Sequence, residues 1–203
     1  MNEAHWNSKY CQAKVEQLSW YQSAPQPAID MIRSLRPSAA VAIIDVGAGA
    51  SNLVDWLVVE GYQNITALDI SARALEHSRQ RLGKAAGQVD WQVAALETYR
   101  TEKRFDIWHD RAVFHFFVAK QQREQYKKVL NTVLRPGGYV LMSTFAIGGA
   151  KKCSGLPVVQ YDAPQLSQEL GERFRLIDTS VEMHITPAAS EQLFCHFIFQ
   201  RID

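Results

Sequence analysis

The sequence predicts an α/β fold: a seven-stranded, mostly parallel sheet with helices on both faces and an antiparallel hairpin at its C-terminal end. Three observations predict it. After the first 28 residues, short apolar runs alternate with helix-length stretches, the pattern of βαβ units. The first apolar run, VAIIDV, ends in a glycine-containing loop that leads into a helix. The chain closes on two long β-like runs joined only by Pro187–Ser190, a link short enough for a hairpin and too short for a crossover helix.

Each element follows from local pattern. Val41 to Val46 is continuously apolar up to Asp45, as expected of a strand covered on both faces. Ser51 or Asn52 can cap the next helix, whose Leu53, Val54, Leu57 and Val58 share a face, and Gly61 ends it. NITALDI is the second strand, and Ser71 caps the polar helix ARALEHSRQRL. WQVA is a weaker third strand and FDIWHD the fourth; a Lys- and Gln-rich helix then runs to Leu134. Arg135-Pro136-Gly137-Gly138 predicts a turn, since proline lacks a donor and glycine accepts left-handed angles. YVLMSTFA is the fifth strand. A loop through Lys151 to Tyr161 and a short helix precede RLIDTSVEMHIT and QLFCHFIFQRI.

Length and charge set the function classes. The 203 residues suit one domain, an N-terminal segment over 1–28 and a core over 29–203. An apolar fraction of 47% is ordinary for a globular protein. Lys plus Arg number 22 against 21 Asp plus Glu, so no basic footprint marks a nucleic-acid partner. The start shows no basic region followed by an apolar one, and no apolar run reaches the ~20 residues of a bilayer span. Three widely spaced cysteines, Cys11, Cys153 and Cys195, suit neither a disulfide framework nor a zinc knuckle, and no residue grouping has metal-ligand spacing. A reduced, cytoplasmic setting is expected.

The chemistry concentrates in two places. Asp45-Val46-Gly47-Ala48-Gly49-Ala50-Ser51 joins the first strand to the first helix, where glycines let a backbone approach a ligand closely. A dinucleotide fingerprint requires a third glycine at position 52, where this chain has Asn52. Asp69 ends the second strand 20 residues beyond Gly49, where a carboxylate can accept from both ribose hydroxyls of an adenosine.

Asp45, Gly47, Gly49 and Asp69, with the order of elements and the terminal hairpin, resemble the class I S-adenosylmethionine-dependent methyltransferases over nearly the whole chain. The resemblance implies a Rossmann-like sheet and S-adenosylmethionine as cofactor, with the loop through Ala48 under its methionine part and Asp69, beside Ile70, on its ribose. Two positions depart from the family pattern. Ser51 replaces the usual third glycine, and Ala95 stands where an Asp often binds the adenine amino group, which leaves that contact to backbone groups of Ala95 and Leu96 or to Glu97. The Trp…Tyr opening, Ser-Trp-Tyr-Gln and His-Asp-Arg-Ala-Val-Phe-His look like a bacterial subgroup of unassigned substrate, distantly similar to lysine methyltransferases of elongation factors.

The second place is the end of the fourth strand, where open parallel sheets bind ligands. His109 or His115 can take a proton from an acceptor, and Asp110 can orient it. The plainer reading has Asp110 capping the next turn and Arg111 pairing locally. Tyr21, in the aromatic lead-in, is expected to face the same acceptor pocket, though such aromatics can equally form a packed helix. Lys151 to Gly155 can line that pocket or act as a lid, with Cys153 an incidental thiol. His184 and His196 are expected to be structural or solvated. The function expected is methyl transfer to a small molecule or a protein side chain. An NAD-dependent oxidoreductase and a non-catalytic cofactor-binding module are the alternatives.

Overall fold

The computed structural model describes residues 2–203. Two helices, α1 (Glu3–Gln12) and α2 (Gln26–Ser34), precede the alternating core: β1 (Ala42–Val46), α3 (Leu53–Val59), β2 (Asn64–Asp69), α4 (Ala72–Leu82), β3 (Val89–Val93), β4 (Phe105–Arg111), α5 (Lys120–Val133) and β5 (Leu134–Phe145). A two-residue ribbon, β6 (Lys152–Cys153) and β7 (Leu156–Pro157), and the helix α6 (Ala163–Leu170) lead to β8 (Phe174–Ile185) and β9 (Glu191–Arg201). The main sheet has seven strands in the order β3-β2-β1-β4-β5-β9-β8. β1 to β5 run parallel, whereas β9 is antiparallel to both β5 and β8. The strand order reverses between β1 and β4, which opens a crevice beyond their carboxyl ends.

Strand alternation divides the core in two. Ile43, Ile107, Leu141 and Ile198 point to the face covered by α2, α3 and α4, where Ile32, Leu53, Leu57 and Leu75 meet them. Ile44, Trp108, Val140, Met142, Phe197 and Phe199 point to the other face, packed by Tyr126, Leu130 and Val133 of α5 and Leu166 and Leu170 of α6. Central strands covered on both sides must be apolar throughout, and the run read from Val41 to Val46 satisfies this.

Two local expectations change. Arg135 to Gly138 do not interrupt the strand; they form a bulge within β5. Leu134 pairs with Phe105 and Tyr139 with Ile107, so four residues of β5 loop out opposite the single Asp106. Gly137, at φ +78°, supplies the left-handed step, and Arg135 is drawn back to Asp106 at 2.7 Å. Asn52 does not cap α3 with its side chain, although Ser51 Oγ accepts from the Leu53 N–H. The Asn52 amide instead donates to the carbonyls of Gln22 and Ser23, tying the lead-in to the core. Ser71 caps α4 as expected, accepting from the Ala74 N–H.

Candidate active site

The loop after β1 is folded onto the end of β2. The N–H groups of Gly47 and Ala48 both donate to the Leu68 carbonyl, at 2.7 and 3.1 Å. Gly47 and Gly49 take φ of +65° and +56°, and a Cβ on the first would overlap Val113 Cγ2 while one on the second would meet Tyr10 Oη. Both positions therefore need glycine for angle and for space. Asp69 closes this cradle: Oδ2 accepts from the Gly49 N–H at 2.8 Å and Oδ1 from the Ser71 N–H at 2.7 Å. Burial pushes the Asp69 carboxyl up to about 6, against the pull of those two backbone donors.

A cavity of about 1090 Å³, counted to its open mouth, lies above the cradle. Gly47, Ala48, Gly49, Asp69 and Ile70 form one side; Asp45, His109, Arg111 and Cys153 form another. The aromatic lead-in covers it. Trp6 of α1 meets Trp20 and Phe116 edge-on, with ring centroids 6.0 and 5.2 Å apart, and Tyr10 meets Trp20 at 6.0 Å. Tyr21 also lines the cavity. Besides the Asn52 contacts, Ser71 Oγ donates to Asn7, Arg111 donates to the Trp20 carbonyl, and His184 Nε2 lies 2.9 Å from the Ser19 carbonyl.

Asp45 and His109 occupy opposed positions on neighbouring strands, and Asp45 Oδ1 lies 2.7 Å from His109 Nδ1. A carboxylate only accepts, so Nδ1 carries the proton and Nε2 is the basic nitrogen. Asp45 Oδ2 and His109 Nε2 have no partner among the described residues, although both are buried. Both residues line the cavity, and these two atoms lie sealed just behind its wall without a partner.

The fourth-strand cluster divides between two faces. Asp110 is fully buried on the α5 side, where it accepts from the Val113 and Phe114 N–H groups and from Tyr126 Oη at 2.6 Å. Tyr126 in turn accepts from Trp108 Nε1. Asp110 thus holds the turn after β4 and does not reach the cavity; burial raises its carboxyl to about 6. His115 is also fully buried, between Phe116 and Phe145, and burial with the nearby Arg111 charge lowers it to about 3. It lies outside the cavity lining, as does Ala95, whose neighbours Ala94 and Leu96 line it. Tyr21 and His115 consequently do not face one pocket.

Tyr10, Phe116 and above all Arg111 line the cavity; they belong to segments expected at the site but were not singled out as site residues from sequence. The signal for Arg111 was present, since strand alternation places it with His109 and opposite to Asp110. His184 and His196 are both buried, and His196 bridges Ser143 and Glu182. No group of three or more potential metal ligands occurs among the described residues, and no helix among them is long and apolar enough to cross a membrane.

Residues 43–138 match the family described as "Methyltransferase domain". The chain is 30% identical over 114 residues to EEF1A lysine methyltransferase 2 of Danio rerio, covering 53% of this chain and 49% of that protein. It is 26% identical over 104 residues to malonyl-[acyl-carrier protein] O-methyltransferase 2 of Ilyobacter polytropus, covering 51% and 39%. The match thus spans half or less of the length of these curated relatives. The N-methyltransferase NodS of Bradyrhizobium japonicum, solved with S-adenosyl-L-homocysteine, superposes with a TM-score of 0.72 at 16% identity, covering 100% of both chains. At that identity the likeness is one of fold.

Proposed function

We propose, on the premise that this chain carries a class I S-adenosylmethionine-dependent methyltransferase domain, that it transfers the methyl group of S-adenosylmethionine to a small molecule or a protein side chain. The observation that carries the reading is the cradle. Gly47 and Gly49 leave room that a Cβ would fill, and Asp69 stands beside them at the end of β2, lining the cavity with a carboxylate held by backbone donors alone. Ribose hydroxyls are the donors such a carboxylate accepts from. Ala94, Leu96 and Ile70 offer an apolar slot for a purine.

S-adenosylmethionine, bound there, would supply a methyl group already activated on a sulfonium. What remains for the protein is to hold the acceptor in line, exclude water and receive a proton. The Trp6–Trp20–Phe116 cover excludes water. His109 would receive the proton once a shift of its ring brings the buried Nε2 to the cavity, while Asp45 fixes the tautomer and stabilises the imidazolium formed. Both lie at the cavity wall beyond β1 and β4. Three free thiols, two of them buried, support a reduced, cytoplasmic setting.

Calorimetric titration with S-adenosylhomocysteine and with NAD tests the reading. Micromolar binding of the first and none of the second is expected, because the third dinucleotide glycine is absent at Asn52. NAD binding without S-adenosylhomocysteine binding overturns it.

A further inference from the structure

Among the side chains around the cavity, Arg111 is the cation, and it has no carboxylate partner. Its side chain enters the cavity from the end of β4, in the same face as His109. One N–H donates to the Trp20 carbonyl at 2.9 Å, and the guanidinium stacks over Phe194, 5.0 Å from the ring centre. A guanidinium carries five N–H donors, and no other hydrogen bond of Arg111 occurs among the described residues. Its remaining nitrogens are not sealed in the protein, which leaves them open to the cavity.

No carboxylate lies within 4.0 Å of its nitrogens among the described residues, although eight Lys or Arg ion pairs form elsewhere among them at that distance or less. The acidic groups nearest in effect are Glu182 and Asp45, and each is hydrogen-bonded to a histidine, Glu182 to His196 and Asp45 to His109. Burial lowers the Arg111 pKa to about 10, so it remains a cation at neutral pH in a site that penalises the charge. A cation held away from water without an ion pair is a costly arrangement, and natural proteins keep it where a ligand supplies the anion.

The charges around the cavity are also segregated. Asp69, on β2, is suited to a donor that carries a positive sulfonium, whereas Arg111 stands two strands away on β4. Trp6, Trp20 and Phe116 also line the cavity, and such flat apolar side chains suit a ring.

We infer that the methyl acceptor is a small molecule, apolar and ring-like in body, that carries a carboxylate or a similar planar anion, and that Arg111 binds this anion. This rests on the methyltransferase reading and narrows it. A lysine ammonium entering beside Arg111 meets a like charge, so a protein lysine is the wrong substrate for this site. A bidentate pair between the guanidinium fork and a carboxylate orients the acceptor ring as well as holding it.

The test uses the full chain saturated with S-adenosylhomocysteine, with benzoate, benzamide and benzylamine as probes of one shape and three charges. Benzoate is expected to bind in the millimolar range or better and to raise the melting temperature, with benzamide and benzylamine at least tenfold weaker. Arg111→Gln should abolish the preference for benzoate while leaving S-adenosylhomocysteine affinity within threefold. Arg111→Lys, which keeps the charge without the fork, should retain part of it even if the glutamine variant folds poorly. Failure of benzoate to bind the loaded wild type, or stronger binding of benzylamine, overturns the inference. So does a tenfold loss of S-adenosylhomocysteine affinity in Arg111→Gln, which would assign the guanidinium to the donor's own carboxylate. Failure of the wild type to bind S-adenosylhomocysteine at all strikes the methyltransferase reading itself and this inference with it.

Discussion

Asp69 and Asp110 show how the same residue type, raised to about the same pKa by burial, is put to different uses. Asp110 spends its acceptors on the protein: two N–H groups and a tyrosine hydroxyl. Asp69 takes one backbone donor per oxygen and keeps capacity at the cavity wall. Asp69→Ala should therefore weaken S-adenosylhomocysteine binding by about 1.5–3 kcal/mol, the scale of hydrogen bonds to a charged group. A pH dependence follows. In the free protein Asp69 titrates near 6, above the ordinary 3.8, so its contribution to stability is present below the lower value and lost as pH rises through the upper one. Ribose hydroxyls donate, which favours the ionised form. Affinity should accordingly rise several-fold between pH 5 and pH 7.5, and Asp69→Asn should flatten the rise. Calorimetry at three pH values reads both, and an equal slope in the asparagine variant would place the titrating group elsewhere. At this scale the sequence was half legible. Spacing located Gly47, Gly49 and Asp69, and the family resemblance added Asp45. The pairing of Asp45 with His109 spans 64 residues and depends on strand register, and the Asp110–Tyr126 bond depends on where α5 docks, neither of which is written in local pattern.

Among the elements, the seven strands of the main sheet, the helices from α3 onward and the terminal hairpin were legible because each carries its own periodicity and end signals, whereas α1, α2 and the β6–β7 ribbon were not marked out. The bulge at Arg135–Gly138 was not. Pro136 and two glycines read as a chain reversal, but the flanking residues Leu134 and Tyr139 remain paired with β4, and pairing decides whether such residues form a turn or a bulge. The lead-in is the element whose behaviour most depends on tertiary contacts. α1 buries only Tyr10, and the segment is held by a small apolar cluster of Tyr10 and Leu18 on Ala50 and Ala74, with scattered side-chain bonds from Asn52, Ser71, Arg111 and His184. Such a region has a small local opening free energy. Amide hydrogen exchange over residues 2–24 should thus be much faster than over β1, β4 and β5 in the free protein, and should slow when S-adenosylhomocysteine occupies the cavity beneath. Trp6→Ala, which removes the edge-on contacts to Trp20 and Phe116, should accelerate dissociation of the bound product several-fold with little change in melting temperature. Exchange in the lead-in as slow as in the sheet would mean that it is a fixed wall and not a cover.

For the molecule as a whole, the site is an assembly of distant segments. Tyr10 and Trp20 from the lead-in, Asp45 near the end of β1, Gly49 after it, Asp69 ending β2, Arg111 ending β4 and Cys153 on β6 meet at the carboxyl edge of one sheet. They meet there because parallel strands deliver their following loops to the same side, and because the order reversal between β1 and β4 keeps those loops apart by a ligand's width. A ligand that contacts all of them stabilises the folded chain and has nothing to contact in the unfolded one. With S-adenosylhomocysteine at about 100 times its dissociation constant, the stabilisation is about 2.7 kcal/mol. For a chain of this size each kcal/mol moves the melting temperature by about 2–4 °C. A shift of about 5–10 °C is therefore expected, read by differential scanning calorimetry, with none for NAD at the same concentration. Asp69→Ala should reduce the shift at fixed ligand, because it weakens one contact of several. A shift that survives in Asp69→Ala but is reproduced by NAD would mean that the glycine loop binds nucleotides without selecting the methyl donor, and the assignment of the cradle would then fail.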